Sequence, residues 1–302
     1  MRKYRNILLF IGLFLVVISC QNYPQDSYKQ QYVVQSYMVA QQHLPYVSVA
    51  TTIKATSKFS FDSTGVNDAN VSISLLDNSG NMVEHYPYIR TNYPGIYRPA
   101  VVRLVKPRRK YQLHITFPNN SDVINAYTTV PDTFHHVGSI PDTVTYQQKK
   151  PIVIRTTPSY YPGRQNIYIF TVLAADTSES LLTPFYLNRV KNNQNVYSSE
   201  FAKNSSGIIN QDNYTLNSDG TLSLNFPWIG VAFYGDNKLV TNAIDDNLYD
   251  FIRSQSVQTG GSTIPPGQIQ NIINHVQGGI GVFGSIASDT VSTYVKRQPS
   301  QQ

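Results

Sequence analysis

The sequence predicts an all-β protein: an N-terminal antiparallel β-sandwich followed by a second β-rich part with one short helix. Three observations predict it. Apolar residues recur at every second position in short runs, which puts them on one face of a half-buried strand. Clusters of Gly, Pro, Asn and Asp separate those runs and supply turn chemistry. Charged residues make up only 14% of the chain, while tyrosine alone occurs 22 times, and aromatic and β-branched residues favour pleated surfaces.

The runs begin with Val33, Val34, Tyr37 and Val39, and continue with Tyr46 to Ile53. Val71, Ile73 and Leu75 alternate with polar partners before the turn Asp77-Asn78-Ser79-Gly80-Asn81, where Gly80 is free to take positive φ. Ile96 to Val105 follow Pro94-Gly95; Tyr111, Leu113, Ile115 and Phe117 alternate cleanly; Ala126 to Val130 close the set before Pro131. About seven short strands in roughly 100 residues, without helical periodicity, make a sandwich over 32–131. The segment 132–140 breaks the pattern and is read as a domain boundary. A second β-rich domain, 140–302, holds strand signals at Thr143 to Gln147, Ile152 to Thr156, Ile167 to Ala174, Leu222 to Phe226, Ile229 to Tyr234, Ile280 to Ile286 and Val291 to Val295. The helix belongs near 246–256: Asp245 can cap it, and Leu248, Phe251 and Ile252 fall at i, i+3, i+4.

The chain opens on a different pattern. Arg2, Lys3 and Arg5 precede 12 apolar residues, Ile7 to Ile18, then Ser19 and Cys20, the only cysteine. This is the layout of a secretory signal, over 1–19, and is shorter than the roughly 20 residues of a spanning helix. Residues 20–31, polar and holding a proline, form a tether. Without Arg2, Lys3 and Arg5 the 24 basic residues fall to 21 against 18 acidic ones, a mild excess that gives no argument for nucleic acid. About 280 mature residues can bury well over half of their surface without disulfides.

Val17-Ile18-Ser19-Cys20 resembles the lipobox of bacterial lipoproteins. The resemblance implies that the Cys20 thiol receives a diacylglyceryl group and becomes the acylated N-terminus; more than one acyl chain is what stable anchoring requires. Further motifs come in a familiar order: "YVVQSYM", "ANVSISLLDNSGN", "YPGIY", Tyr-x-Leu-x-Ile at 111–115, "TTVP" at 128–131, "NLYDFIRSQ" at 247–255 and "GGIGVFGS" at 278–285. Together they resemble a family of Bacteroidota outer-membrane lipoproteins known as a domain of unknown function, and the first half is similar to a carboxypeptidase-regulatory type of β-sandwich. The resemblance implies an outer-membrane location, often beside a TonB-dependent transporter, and carries over no site residue beyond Cys20. Two features depart from the family: Lys106-Pro107-Arg108-Arg109-Lys110 stands where the family favours Pro-Gly, and 199–221 is unusually rich in Asn and Ser.

Enzyme signatures are weak. Gly279-Ile280-Gly281-Val282-Phe283-Gly284 matches G-x-G-x-x-G, but a dinucleotide site needs a following helix within a βαβ unit, and too little chain remains. The glycines read instead as places of close backbone approach on a strand. No G-x-S-x-G or H-E-x-x-H occurs. The six histidines are scattered, and His135 and His136, being adjacent, point to opposite sides of an extended chain; they read as solvated loop residues rather than metal ligands. No catalytic residue, metal or cofactor is expected.

Four groups of residues remain as candidates. Tyr160, Tyr161 and Arg164 sit on a Pro-flanked loop, and Trp228 follows Pro227; rigid aromatics and arginine enrich interfaces. Tyr86, Tyr88, Tyr93 and Tyr97 crowd one hairpin. For any of these the plainer reading is that tyrosines fill and edge sheets. Lys106, Arg108, Arg109 and Lys110 top a hairpin, either as a solvated turn or as a contact with an anionic lipid surface. Ser63, Thr143 and Thr290 stand in Asp-Ser/Thr-x triplets that resemble O-glycosylation sites. The function expected is non-catalytic: a lipid-anchored envelope protein that binds a partner or ligand for an outer-membrane transporter, the alternative being a structural or adhesive surface lipoprotein.

Overall fold

The last strand of the chain pairs with the first. In the computed structural model, which describes residues 28–54, 56–258 and 272–299, β1 (Tyr32–Val39) lies parallel to β16 (Ile280–Lys296), with Val33 opposite Ile280 and Val39 opposite Ile286. Cys20 and the stretch read as a secretory signal, 1–19, lie outside the described residues.

Between these two strands the first half builds the predicted sandwich. β2 (Val47–Thr51), β5 (Ile96–Pro99) and β4 (Met82–Arg90) extend the sheet from β1; β3 (Asn70–Leu76), β6 (Lys110–Thr116) and β7 (Val123–Thr129) continue it beyond β4, and a short helix α1 (Phe61–Thr64) precedes β3. The alternation seen in the sequence is the burial pattern: Tyr111, Leu113 and Ile115 face inward with Ile73, Val34 and Val49. Tyrosines fill this core with their hydroxyls satisfied. Tyr97 donates to Val66 O at 2.8 Å, and Tyr88 to Pro45 O at 2.9 Å. Tyr86 is also buried, so the aromatic hairpin is mostly interior, as the plainer reading has it. β5 ends at Pro99, short of the expected Val105, and residues 101–104 are exposed irregular chain.

The second half adds β8 (Thr143–Thr145), β10 (Tyr168–Ala174), β11 (Lys203–Ser205), β14 (Gly235–Ile244) and β15 (Val276–Gln277) to the same sheet. β9 (Ile152–Thr156), β12 (Tyr214–Leu216) and β13 (Leu222–Phe226) form a separate three-stranded sheet. Two helices complete it, α2 (Pro184–Lys191) and α3 (Asp246–Gln258). The order of the large sheet is β11-β10-β14-β16-β1-β2-β5-β4-β3-β6-β7-β15, with β8 alongside β16. The stretch 132–140 is crossed by one core: Val130 and Phe134 are buried in the cluster that joins Val34 and Leu113 to Phe170, Leu224 and Val295.

Three elements differ from the sequence reading. Ile229 to Tyr234 is not a strand but a 3-10 turn and buried loop, with Val231 and Phe233 fully covered; an apolar run without alternation does not distinguish strand from packed loop. The strand is β14, just beyond it. Its polar letters hide it, because a central strand covered on both faces has buried Asn237, Thr241 and Asn242 whose amides bond internally, Asn242 to Ile169 O at 3.1 Å and Asn237 to Phe233 O at 3.0 Å. The two expected closing strands are one strand of 17 residues, about 55 Å long. The structure also adds the helices α1 and α2 to the one expected. The capping of α3 is as read: Leu248 N donates to Asp245 Oδ1 at 2.9 Å. Among the described residues no helix is long and apolar enough to cross a membrane.

The glycine-rich run is the seam with β1. Gly281 has φ +119°, and a Cβ there would sit 2.0 Å from Val34 O; a Cβ on Gly284 would sit 2.5 Å from Leu248 Cγ. Close approach of the Val34 backbone at Gly281 and of the Leu248 side chain at Gly284 favours glycine at both positions. Gly281→Ala is expected to cost about 3 kcal/mol or more in urea unfolding, since strain and backbone clash combine. Gly207→Ala, where a Cβ meets nothing within 4 Å, should change stability by less than about 1 kcal/mol.

Candidate functional site

The loop carrying Tyr160, Tyr161 and Arg164 is built into the molecule. Tyr161 is buried, and the Arg164 guanidinium lies over its ring at 4.1 Å. Arg164 also pairs with Asp246 and donates to Ile244 O at 2.7 Å, so it ties the loop to the first turn of α3. Tyr160 is exposed and lies under Arg108, 4.9 Å from guanidinium carbon to ring centroid. Trp228 is elsewhere, half-buried and edge-on to Tyr146 at 5.4 Å. The structure therefore does not bring Trp228 together with the other three.

The basic run sits at the start of β6, about 20 Å along that strand from the end where Phe117 stacks on Tyr32, the first residue of β1. Three of its side chains have partners: Lys106 with Glu84 at 2.5 Å, Arg108 with Asp132 at 3.8 Å, and Lys110 over the Tyr127 ring at 5.0 Å. Arg109 is exposed beside them. Ser63, Thr143 and Thr290 are all exposed, and Ser63 Oγ donates to Ser60 O at 3.0 Å.

His135 and His136 do point apart, but His136 is no solvated loop residue. Its side chain is only 8% exposed, with Nδ1 2.8 Å from Asp289 Oδ2, out of line for a hydrogen bond, and Nε2 3.0 Å from Thr241 Oγ1. Burial pushes its pKa down, against the pull of Asp289. Among the described residues no three or more His, Cys, Asp or Glu are grouped to hold a metal ion.

The most perturbed acid is Asp245, which is fully buried at the meeting of β7, β16 and α3. Thr128 Oγ1 lies 2.5 Å from Asp245 Oδ2 and 2.7 Å from Ser285 Oγ, and Ser285 Oγ lies 2.9 Å from Thr129 O. With the carboxylate ionised, two hydroxyl protons must serve three contacts. With it protonated, three protons serve three contacts, as a fully satisfied buried network requires. Burial is the main reason that its pKa is pushed up to about 6. Through Thr128 and Ser285 it ties the first half to the second.

The feature that the sequence reading did not single out is a cleft at the β4–β5 hairpin, reached by Tyr46 just before β2. It holds about 560 Å³ and is lined by Tyr46, Arg90, Thr91, Asn92, Tyr93, Ile96 and Arg98. Tyr46 is 62% and Tyr93 74% exposed. Ile89, opposite Arg98 in the β4–β5 register, is exposed too, as are Val102 and Leu104 just beyond β5. Solvent-exposed aromatic, aliphatic and arginine side chains in one area mark an interaction surface. The signal available in sequence was the alternation of the hairpin: Tyr86 and Tyr88 share the inner face, whereas Tyr93 falls in the turn, but the arginines meet only through strand pairing. Other depressions exist among the described residues. One of about 770 Å³ lies between α3 and the sheet, among Tyr37, Ile169, Leu248, Phe251 and Ile286. Another, about 540 Å³, lies beside Tyr214 and Ile229.

A sequence profile described as Domain of unknown function (DUF4249) matches residues 21–292. No curated protein matches the chain. Solved structures resemble it only loosely. A tetra-tandem repeat from the extending region of a large adhesion protein is 15% identical, covering 88% of this chain and 49% of that one, with TM-score 0.22. Trypsin-activated alpha-2-macroglobulin from Escherichia coli is 11% identical, covering 72% and 14%, with TM-score 0.20. The three N-terminal domains of the bacteriophage RB49 outer capsid protein Hoc are 7% identical, covering 89% and 71%, with TM-score 0.22. The chain thus spans about half the length of the first and a small part of the second, and overlaps of this quality carry no functional argument.

Asp245 yields a test of the buried network. The folded state holds a proton that the unfolded chain releases between about pH 4 and 6. This group's contribution to stability is therefore fully present below about pH 4 and lost as pH rises through about 6. Asp245→Asn keeps the oxygen that caps Leu248 and gains an amide donor toward Thr128. Measured by urea unfolding, the wild type should lose about 2 kcal/mol relative to Asp245→Asn between pH 4.5 and 7.5. Parallel pH profiles for the two proteins would show that the carboxyl titrates as in the unfolded chain.

Proposed function

We propose that this chain, which belongs to the family described as Domain of unknown function (DUF4249), is a lipid-anchored cell-envelope protein that acts by binding, as the accessory of an outer-membrane transporter of the TonB-dependent kind. The observation that carries the anchor is the junction at Cys20. A positive start, 12 apolar residues and Val17-Ile18-Ser19-Cys20 end where the family profile begins, at residue 21. A profile that starts one residue after the cysteine supports a leader removed before it and a mature chain held by its first residue. Acylation with two or more chains makes such attachment stable.

The proposed anchor, taken with the position of β1, supports an orientation. Residues 28–31 already run along Thr52, with Tyr28 Oη 2.9 Å from Thr52 Oγ1 and Gln31 N donating to Thr52 Oγ1 at 3.0 Å. Only residues 20–27 separate lipid from body, a span of at most about 28 Å. The end of the sandwich where β1 starts then faces the bilayer. The cleft of Tyr46, Arg90, Tyr93 and Arg98 opens sideways on the strands next to β1, within reach of a partner in the same membrane, and tethering makes that encounter effectively intramolecular.

Growth with labelled palmitate tests the anchor. The wild type should take up label and sediment with envelopes, and Cys20→Ser should do neither. An unlabelled wild type, or a serine variant that sediments as before, would overturn the lipid anchor. Purification in mild detergent tests the partner: a stoichiometric barrel protein is expected, and its absence would favour a surface lipoprotein with a structural or adhesive role.

A further inference from the structure

The geometry points to the cleft between β4 and β5 as a site for a protein segment that presents carboxylates among apolar side chains. This rests on the binding role proposed above and names the chemistry of the partner. Four observations carry it. The lining holds two arginines, Arg90 and Arg98, and no acidic residue. Among the described residues neither guanidinium is within ion-pair distance of a carboxylate, although Lys106, Arg108, Arg155 and Arg164 all are. Tyr46 and Tyr93 flank the arginines with their rings largely in solvent. Ile89 stands opposite Arg98 in the register, so an aliphatic and a basic residue share one face, with Cβ atoms about 5 Å apart.

Each part answers a different part of the ligand. A guanidinium presents a planar fork that matches a carboxylate. Tyrosine gives contact area at little entropic cost. Ile89, exposed and opposite Arg98, and Ile96 of the lining offer apolar surface that suits peptide side chains, while Thr91 and Asn92 add hydrogen-bonding groups. An acidic glycan shares the carboxylate but not this match, and it is the competing ligand that the test separates.

The test uses the full-length lipidated chain in a non-ionic detergent and a fluorescein-labelled hexapeptide of alternating Glu and Leu, followed by anisotropy. Saturable binding is expected. It should weaken about tenfold or more in the double variant Arg90→Gln/Arg98→Gln, weaken in Tyr93→Ala, fade with added salt, and stay unchanged in Lys149→Gln, an exposed lysine elsewhere. Circular dichroism on each variant checks that the fold is kept. The inference is overturned if the peptide does not saturate, if a Lys-Leu peptide binds equally, or if the arginine pair makes no difference. Arginine-dependent binding of oligogalacturonate without binding of the peptide overturns it as well, by assigning the cleft to an acidic glycan. The Cys20→Ser variant should bind the peptide like the wild type, so a failed anchor and a failed cleft give different results.

Discussion

The parallel pairing of β16 with β1 is the constraint on which the rest of the structure depends. β16 pairs along its first part with β1 and along most of its length with β14, so a single strand is edge partner to the sandwich and spine of the second half. Pairing the first strand with the last closes the longest loop in the fold. Such long-range closure costs loop entropy before any contact offsets it. The seam must then be tight, and glycine makes it so: Val34 O occupies the space where a Cβ on Gly281 would be.

A second tie lies one layer away. Asp245 caps α3, which packs on β16, while its other oxygen meets Thr128 of β7 and through it Ser285 of β16. A buried carboxyl is a poor stabiliser in itself, since its desolvation opposes its hydrogen bonds. Its use here is to fix one register among β7, β16 and α3, a role that apolar side chains, being non-directional, would fill less specifically. Arg164 does similar work from the outside, stacking on Tyr161 and holding Asp246 and Ile244 O.

Much of this was legible in the sequence, for stated reasons. The alternation of Tyr111, Leu113, Ile115 and Phe117 is the inward face of β6, and Asp245 capping Leu248 is local chemistry that needs no tertiary information. What was not legible depends on the third dimension. β14 reads as polar because its buried asparagines are satisfied internally, Asn242 by β10 and Asn237 by the turn just before it. Tyr161 and Arg164 look like an exposed binding loop because nothing local reveals that α3 returns to meet them. The cleft went unseen because Arg90 and Arg98 face one space only after β4 pairs with β5, and because burial separates Tyr93 from Tyr86, Tyr88 and Tyr97.

Rigidity of the scaffold and accessibility of its side face belong together. A cleft at the β4–β5 hairpin keeps its geometry only if β2, which pairs with β5, and β1, which pairs with β2, are held, and β1 is held by β16. Native-state hydrogen exchange on the full chain measures this directly. The account predicts that amides of β1, of residues 280–286 and of β14 open with the same free energy, in one cooperative unit. Exchange of β1 and 280–286 at a clearly lower free energy than β14 would mean that the seam opens on its own, and would contradict the account.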